Sequence, residues 1–199
     1  GVLTRMSSQG AGADVMTPAA PSDLDHASGI VVPGVGHFGA TAALTSDWMD
    51  AIRRAVERRV PLLGICLGMQ WLFEGSDEAP EVQGLGVIRG QITRLQNDPE
   101  RRLKIPHVGW NALNFRSGPS TSLGASARLL TGLPSGAQVY FTHSYAAPVV
   151  AATVATTTYG VTFSAAVEDG LVSGVQFHPE KSGDVGLSVL RNWIRSGGA

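Results

Sequence analysis

The stretch "PLLGICLGMQ", from Pro61 to Gln70, decides how the rest of the chain is read. Its apolar run halts at Gly64-Ile65-Cys66-Leu67-Gly68, and a helix-compatible segment, "LGMQWLFEGS", follows without a linker. A short apolar run bounded by a turn signal has the pattern of a strand buried on both faces. A strand that turns straight into a helix between two glycines is a nucleophile elbow, here with cysteine in the serine position. Gly64 and Gly68 omit a side chain where so tight a turn would crowd a Cβ atom. The helix that follows aims free amides and its positive dipole end at the sulfur, which favours the reactive thiolate. Read alone, Cys66 is equally a small buried apolar residue, the usual place of a free cysteine.

Upstream, "SGIVVPG" (Ser28 to Gly34) is a second strand of the doubly buried type, followed by the glycine-rich loop "GVGHFGA". From Thr41 to Arg59 the spacing of Leu44, Trp48, Ile52 and Val56 predicts an amphipathic helix. Strand, helix, strand, helix in that order implies a parallel sheet with crossover helices. Before it, residues 1–28 read as a short helix, a turn and a loop, with only "GADVMT" strand-like. After it, "GVIRGQITRL", "KIPHVGWNAL", "AQVYFTHSY", "VVAATVATTTYG", "VTFSAAVEDG" and "LVSGVQFHP" are strand candidates with little helix between them. "GDVGLSVLRNWIRS" closes the chain as a helix, with Val185, Val189 and Trp193 four apart. The expected fold is α/β, a single domain over residues 1–199, with a mixed, mostly parallel sheet flanked by helices.

The composition narrows the function classes. A chain of 199 residues with 43% hydrophobic and 16% charged residues supports one well-packed domain. A net charge of −1 gives no broad footprint for nucleic acid or anionic lipid. The basic clusters Arg53-Arg54 with Arg58-Arg59, and Arg101-Arg102 with Lys104, are short and interrupted, as on a solvated surface. One cysteine makes no internal disulfide, which fits a reducing, cytoplasmic setting, and no segment is long and apolar enough to span a membrane.

A thiol nucleophile needs a base, and five histidines are available: His26, His37, His107, His143 and His178. His178 stands at a strand end in "GVQFHPEKS", and reactive groups of parallel sheets gather at carboxyl ends of strands. Glu180, two residues on, can bond the far ring nitrogen and fix the tautomer. Taken alone, His178-Pro179 reads more plainly as a strand-ending turn with Glu180 in solvent. An acyl-transfer site also needs donors for a developing oxyanion. The Leu67 amide is one, and an amide of Gly34, Val35 or Gly36 in "PGVGHFG" is the second. That loop lacks the Lys-Ser/Thr of a P-loop, and neither Cys-x-x-Cys nor His-Glu-x-x-His occurs, so neither a metal nor another cofactor is expected. His26 reads as an exposed loop residue.

With "GICLGMQ" and "FHPE" at this separation, the sequence resembles the class I (triad) glutamine amidotransferases. The resemblance implies hydrolysis of L-glutamine through a glutamyl thioester, with Cys66 as nucleophile, His178 as base and then acid, and Glu180 orienting it. It further implies that Gln70 contacts the substrate, that Glu78 meets its α-amino group, and that Thr142, His143, Ser144 and Tyr145 line its α-carboxylate side. "PGVGHFG", "IPHVGWN" (Ile105 to Asn111) and "FHPEKSG" (Phe177 to Gly183) narrow the resemblance to the glutaminase subunits of imidazole glycerol phosphate synthase. Such subunits pair with a (β/α)8-barrel cyclase. Ammonia passes through the barrel to a phosphoribulosyl formimino carboxamide nucleotide (PRFAR), giving imidazole glycerol phosphate and an aminoimidazole carboxamide ribotide. Trp110 and Lys181 are the candidate contacts with that partner, with a core tryptophan and a surface lysine as the plainer reading. The family opens with an apolar strand and a "YGxGN"-like turn, so the domain is expected to be N-terminally incomplete, with an open sheet edge and "GVLTRM" continuing a helix. A stand-alone γ-glutamyl thiol hydrolase, a glutaminase serving another synthase and an inactive scaffold are the alternatives.

Overall fold

Two parallel strands set the frame, Ile30–Gly34 (β1) and Leu62–Cys66 (β2), paired with Gly34 opposite Cys66. The computed structural model describes residues 14–96, 103–116 and 127–196. In chain order the later strands are Gly75–Ser76 (β3), Gln91–Arg94 (β4), His107–Ala112 (β5), Asn114–Phe115 (β6), Gln138–His143 (β7) and Tyr145–Ala146 (β8). Thr153–Tyr159 (β9), Val161–Asp169 (β10) and Val172–Val175 (β11) complete them. The α-helices are Ser46–Glu57 (α1), Leu67–Trp71 (α2) and Gly183–Ser196 (α3).

The large sheet runs β1-β2-β11-β10-β9-β6, beside a small β3-β4-β8 sheet and a β5-β7 ribbon. β2 lies between β1 and β11, parallel to both, and all five of its residues are buried. Its alternation divides the core. Leu63 and Ile65 join Val189, Leu190 and Trp193 of α3 on one face. Leu62 joins Ala51, Ile52 and Ala55 of α1 on the other. A strand whose successive side chains enter two separate cores reads as a continuous apolar run, which is what "PLLGIC" is.

Several expectations need correction. The sheet is mixed but not mostly parallel, since three of the five pairings in the large sheet are antiparallel. The cause is local: Gly160 (φ 72°) and Gly170 (φ 56°) turn the chain back between β9, β10 and β11, leaving no length for a crossover helix. β1 is not buried on both faces. Among the described residues it is an edge strand, with Ile30 buried, Val31 and Val32 half-buried and Pro33 exposed. An edge suits Pro33, which has no N–H to offer a ladder. The expected helix over 41–59 is a 3-10 turn, Phe38–Ala43, followed by α1. α2 stops at Trp71 because the Trp71, Leu72 and Phe73 carbonyls accept the amides of Leu85, Ile88 and Gly86. Asp14 to Thr17 of "GADVMT" form no strand, and the rest of that stretch and "GVLTRM" lie outside the described residues.

Candidate active site

Cys66 sits where β2 meets α2, with φ 53° and ψ −109°. A non-glycine residue there carries strain of about 1–3 kcal/mol, held only if the surroundings over-determine it. The two glycines supply that constraint. A Cβ on Gly64 would lie 2.5 Å from the Gly68 carbonyl oxygen, and one on Gly68 would lie 1.7 Å from that of Val32. The first turn of α2 therefore packs directly on the β1 and β2 backbones, and no other residue type fits. The result presents Cys66 at the carboxyl ends of the parallel strands, buried to 5% exposure.

His178 arrives from the end of β11. Its N–H donates to the Tyr140 carbonyl of β7 (2.9 Å), and Ser182 Oγ donates to its carbonyl (2.7 Å), so its backbone is fixed from two sides. A 3-10 turn, Pro179–Lys181, brings Glu180 back to the ring, where Oε1 meets Nδ1 at 2.6 Å. Nε2 is buried and meets no partner in hydrogen-bond geometry. Burial pushes the ring down, but the Cys66 sulfur and the Glu180 carboxylate outweigh it and raise the His178 pKa to about 9. Burial likewise pushes Glu180 up, and the bond to His178 with its charge brings that carboxyl below its usual range. A carboxylate that accepts from Nδ1–H leaves Nε2 to exchange a proton with sulfur.

Gln70 is buried one turn after Cys66, and its Nε2 reaches both the Tyr145 carbonyl (2.8 Å) and Gln176 Oε1 (3.0 Å). Gln176 in turn places Nε2 3.6 Å from Cys66 Sγ. Sequence reasoning passes over Gln176, which lies just past the end of β11, two residues before His178. It also treated His107 and His143 singly, whereas they form a pair, Nδ1 to Nε2, at 3.1 Å. Burial lowers His107 to about 4. Burial first, then the neighbouring rings, lowers His143 to about 3, against its bond to the Tyr145 carbonyl. His26 is exposed, as expected.

The oxyanion candidates flank the sulfur. Leu67 is the first residue of α2, a position whose amide has no intrahelical acceptor. Gly34 ends β1 in register with Cys66, Val35 is 73% exposed, and Gly36 holds φ 102° with open space around it. Glu78 reaches this loop through Oε2, which accepts the Phe38 N–H at 2.6 Å. Thr142 and His143 end β7, Ser144 is a bend and Tyr145 begins β8, with the Tyr145 carbonyl meeting Gln70 Nε2 and His143 Nδ1. Trp110 is 57% exposed rather than a core residue. Its ring meets Tyr140 edge-on at 6.1 Å, and Lys181 Nζ lies 5.5 Å from the same ring, so the two interface candidates lean on one side chain. Among the described residues, no group of three or more His, Cys, Asp or Glu is placed to hold a metal. No helix among them is long and apolar enough to cross a membrane.

A family model described as glutamine amidotransferase class-I matches residues 5–196. This chain belongs to that family. It is 44% identical over 189 residues to the imidazole glycerol phosphate synthase subunit HisH of Deinococcus radiodurans, over 93% of this chain and 83% of the relative. The HisH subunit of a Synechococcus species is also 44% identical over 189 residues, over 92% and 83% of the two chains. A crystal structure of a glutamine amidotransferase shares the fold with a TM-score of 0.72 at 19% identity, over 100% of this chain and 93% of that one. The chain is accordingly a glutamine amidotransferase, and the α/β fold with its mixed sheet is the family's own.

Proposed function

We propose that residues 1–199 form one amidotransferase domain that acts as the glutaminase subunit of an imidazole glycerol phosphate synthase, with Cys66, His178 and Glu180 as its triad. The observation that carries the reading is the constrained Cys66 elbow beside a histidine whose other nitrogen is held by Glu180 at 2.6 Å. His178 takes the proton from Cys66, and the thiolate attacks the amide carbon of L-glutamine. The Leu67 amide and one from Gly34 to Gly36 receive the oxyanion, each worth roughly 3–4 kcal/mol in the transition state. His178 then protonates the leaving ammonia, and water, activated by the same ring, opens the thioester. Gln70 contacts the substrate, Glu78 meets its α-amino group, and Thr142 to Tyr145 line its carboxylate side.

Ammonia lost to water is protonated and no longer nucleophilic, so the site works best sealed against the enzyme that consumes it. The partner is a (β/α)8-barrel cyclase that converts PRFAR, docked as a heterodimer over Trp110, Tyr140 and Lys181, in the cytoplasm. Exposed aromatic and cationic side chains that share one contact are of the kind that anchors interfaces. With the cyclase present, Cys66→Ala should abolish synthesis from glutamine and leave synthesis from added ammonia intact. Retained glutamine-driven synthesis would remove Cys66 from the role. Labelling of the complex by diazo-oxo-norleucine should modify Cys66 alone.

A further inference from the structure

The hydrogen bonds that approach the sulfur have their direction fixed by one atom. The Tyr145 carbonyl oxygen accepts and never donates. Gln70 must therefore turn its NH2 toward it, at 2.8 Å. The same nitrogen reaches Gln176 Oε1 at 3.0 Å, so Gln176 offers its oxygen to Gln70 and its own NH2 to the other side. That NH2 lies 3.6 Å from Cys66 Sγ. Flipping either amide would set like atom against like, so the sulfur faces a donor. A second arm reaches the same carbonyl. His143 Nδ1 donates to it at 2.9 Å, which leaves His143 Nε2 to accept from His107 Nδ1 at 3.1 Å and His107 Nε2 to accept from Asn111 Nδ2 at 3.4 Å. Every bond is satisfied with both rings neutral.

We infer that Gln176 is a positioning residue that orients the Cys66 sulfur and stabilises its anion through a side-chain N–H, locked by Gln70 and the Tyr145 carbonyl. Gln176 is fully buried, and its backbone N–H donates to the Ala165 carbonyl at 2.9 Å, so the amide has little freedom to leave. His178 exchanges a proton during turnover and Gln176 cannot. Its donor therefore stays with the sulfur when it attacks as an anion and when it departs as one from the thioester. A hydrogen bond to a charged atom is stronger than one to a neutral atom, so the contact favours both anionic stages over the thioester between them.

This inference rests on Cys66 as nucleophile, but alkylation reads the sulfur's surroundings whether or not glutamine is hydrolysed, so the two fail on different measurements. The test is the pH dependence of Cys66 alkylation by iodoacetamide in the full chain. The titrating and charged groups that bear on it are His178, Glu180 beside it, His143, which acts on His178, and Lys181, which acts on Glu180. Gln176→Leu should move the alkylation curve about one unit to higher pH and lower kcat about tenfold with little change in KM. Gln176→Glu, which keeps an oxygen for Gln70 but turns an anion to the sulfur, should move the curve further the same way. Curves that superimpose on the parent's in folded variants overturn the inference. If neither variant folds, the Gln176 side-chain amide resonances of the parent should follow the alkylation curve with pH, and resonances indifferent to it overturn the inference equally.

Discussion

At the scale of single residues, Cys66 is a strained side chain held by two absent ones. The left-handed backbone at Cys66 is relieved by glycine and not by alanine, so Cys66→Gly should be more stable than Cys66→Ala by about 1 kcal/mol in urea unfolding. Equal midpoints would mean the elbow is not strained. Gly68→Ala should lose about 3 kcal/mol or more, because its Cβ would overlap the Val32 carbonyl and no flexible side chain can give way. Both glycines were legible in "GICLG", since a tight turn states its need for them in sequence. Gln176 was not, because a neutral amide has no chemistry of its own to advertise. Its meaning arises only when Gln70 and the Tyr145 carbonyl, far along the chain, give it a direction.

At the scale of elements, the runs of apolar residues located nearly every strand, and what they missed was pairing. β1 and β2 look alike in sequence, yet among the described residues β1 has one neighbour and β2 has two, because the pattern records burial and not neighbours. The sequence overextends α2 because the helix end is set by amides of Leu85, Gly86 and Ile88, which no local signal carries. The β9–β10 hairpin shows the reverse, since "TTTYG" and "VTFSAA" announce two strands and the glycine between them. Gly160 holds φ 72° there, and a Cβ would also come within 3.2 Å of Leu103 Cδ1. Gly160→Val should therefore cost about 1–3 kcal/mol and lower the thermal midpoint, while leaving Cys66 alkylation unchanged. An altered alkylation rate would mean that the hairpin, whose nearer strand β10 lies two strands from β2, helps set the site.

For the whole molecule, the buried histidines give stability two pH limbs of opposite cause. His178 has its folded pKa raised from 6.5 to about 9, so its contribution is complete below pH 6.5 and is lost as pH rises through 9. His107 and His143 are lowered to about 4 and about 3, so the unfolded chain binds protons there that the folded chain refuses. Their effect is a loss of stability as pH falls from 6.5 toward those values. Glu180, held low, adds to the acid limb as pH falls below the usual carboxylate range. The urea midpoint of the full chain should therefore peak near pH 6.5 and fall on both sides. The limbs separate by substitution. Cys66→Ala removes the sulfur that raises His178 and should flatten the alkaline limb alone. His107→Phe keeps a ring to stack on Tyr159 and Phe141 while removing one group that resists protonation, and should flatten the acid limb alone. A midpoint that changes in one direction across this range, or a Cys66→Ala profile identical to the parent's, would show that the Cys66–His178 pair is not the electrostatic unit on which the proposed chemistry depends.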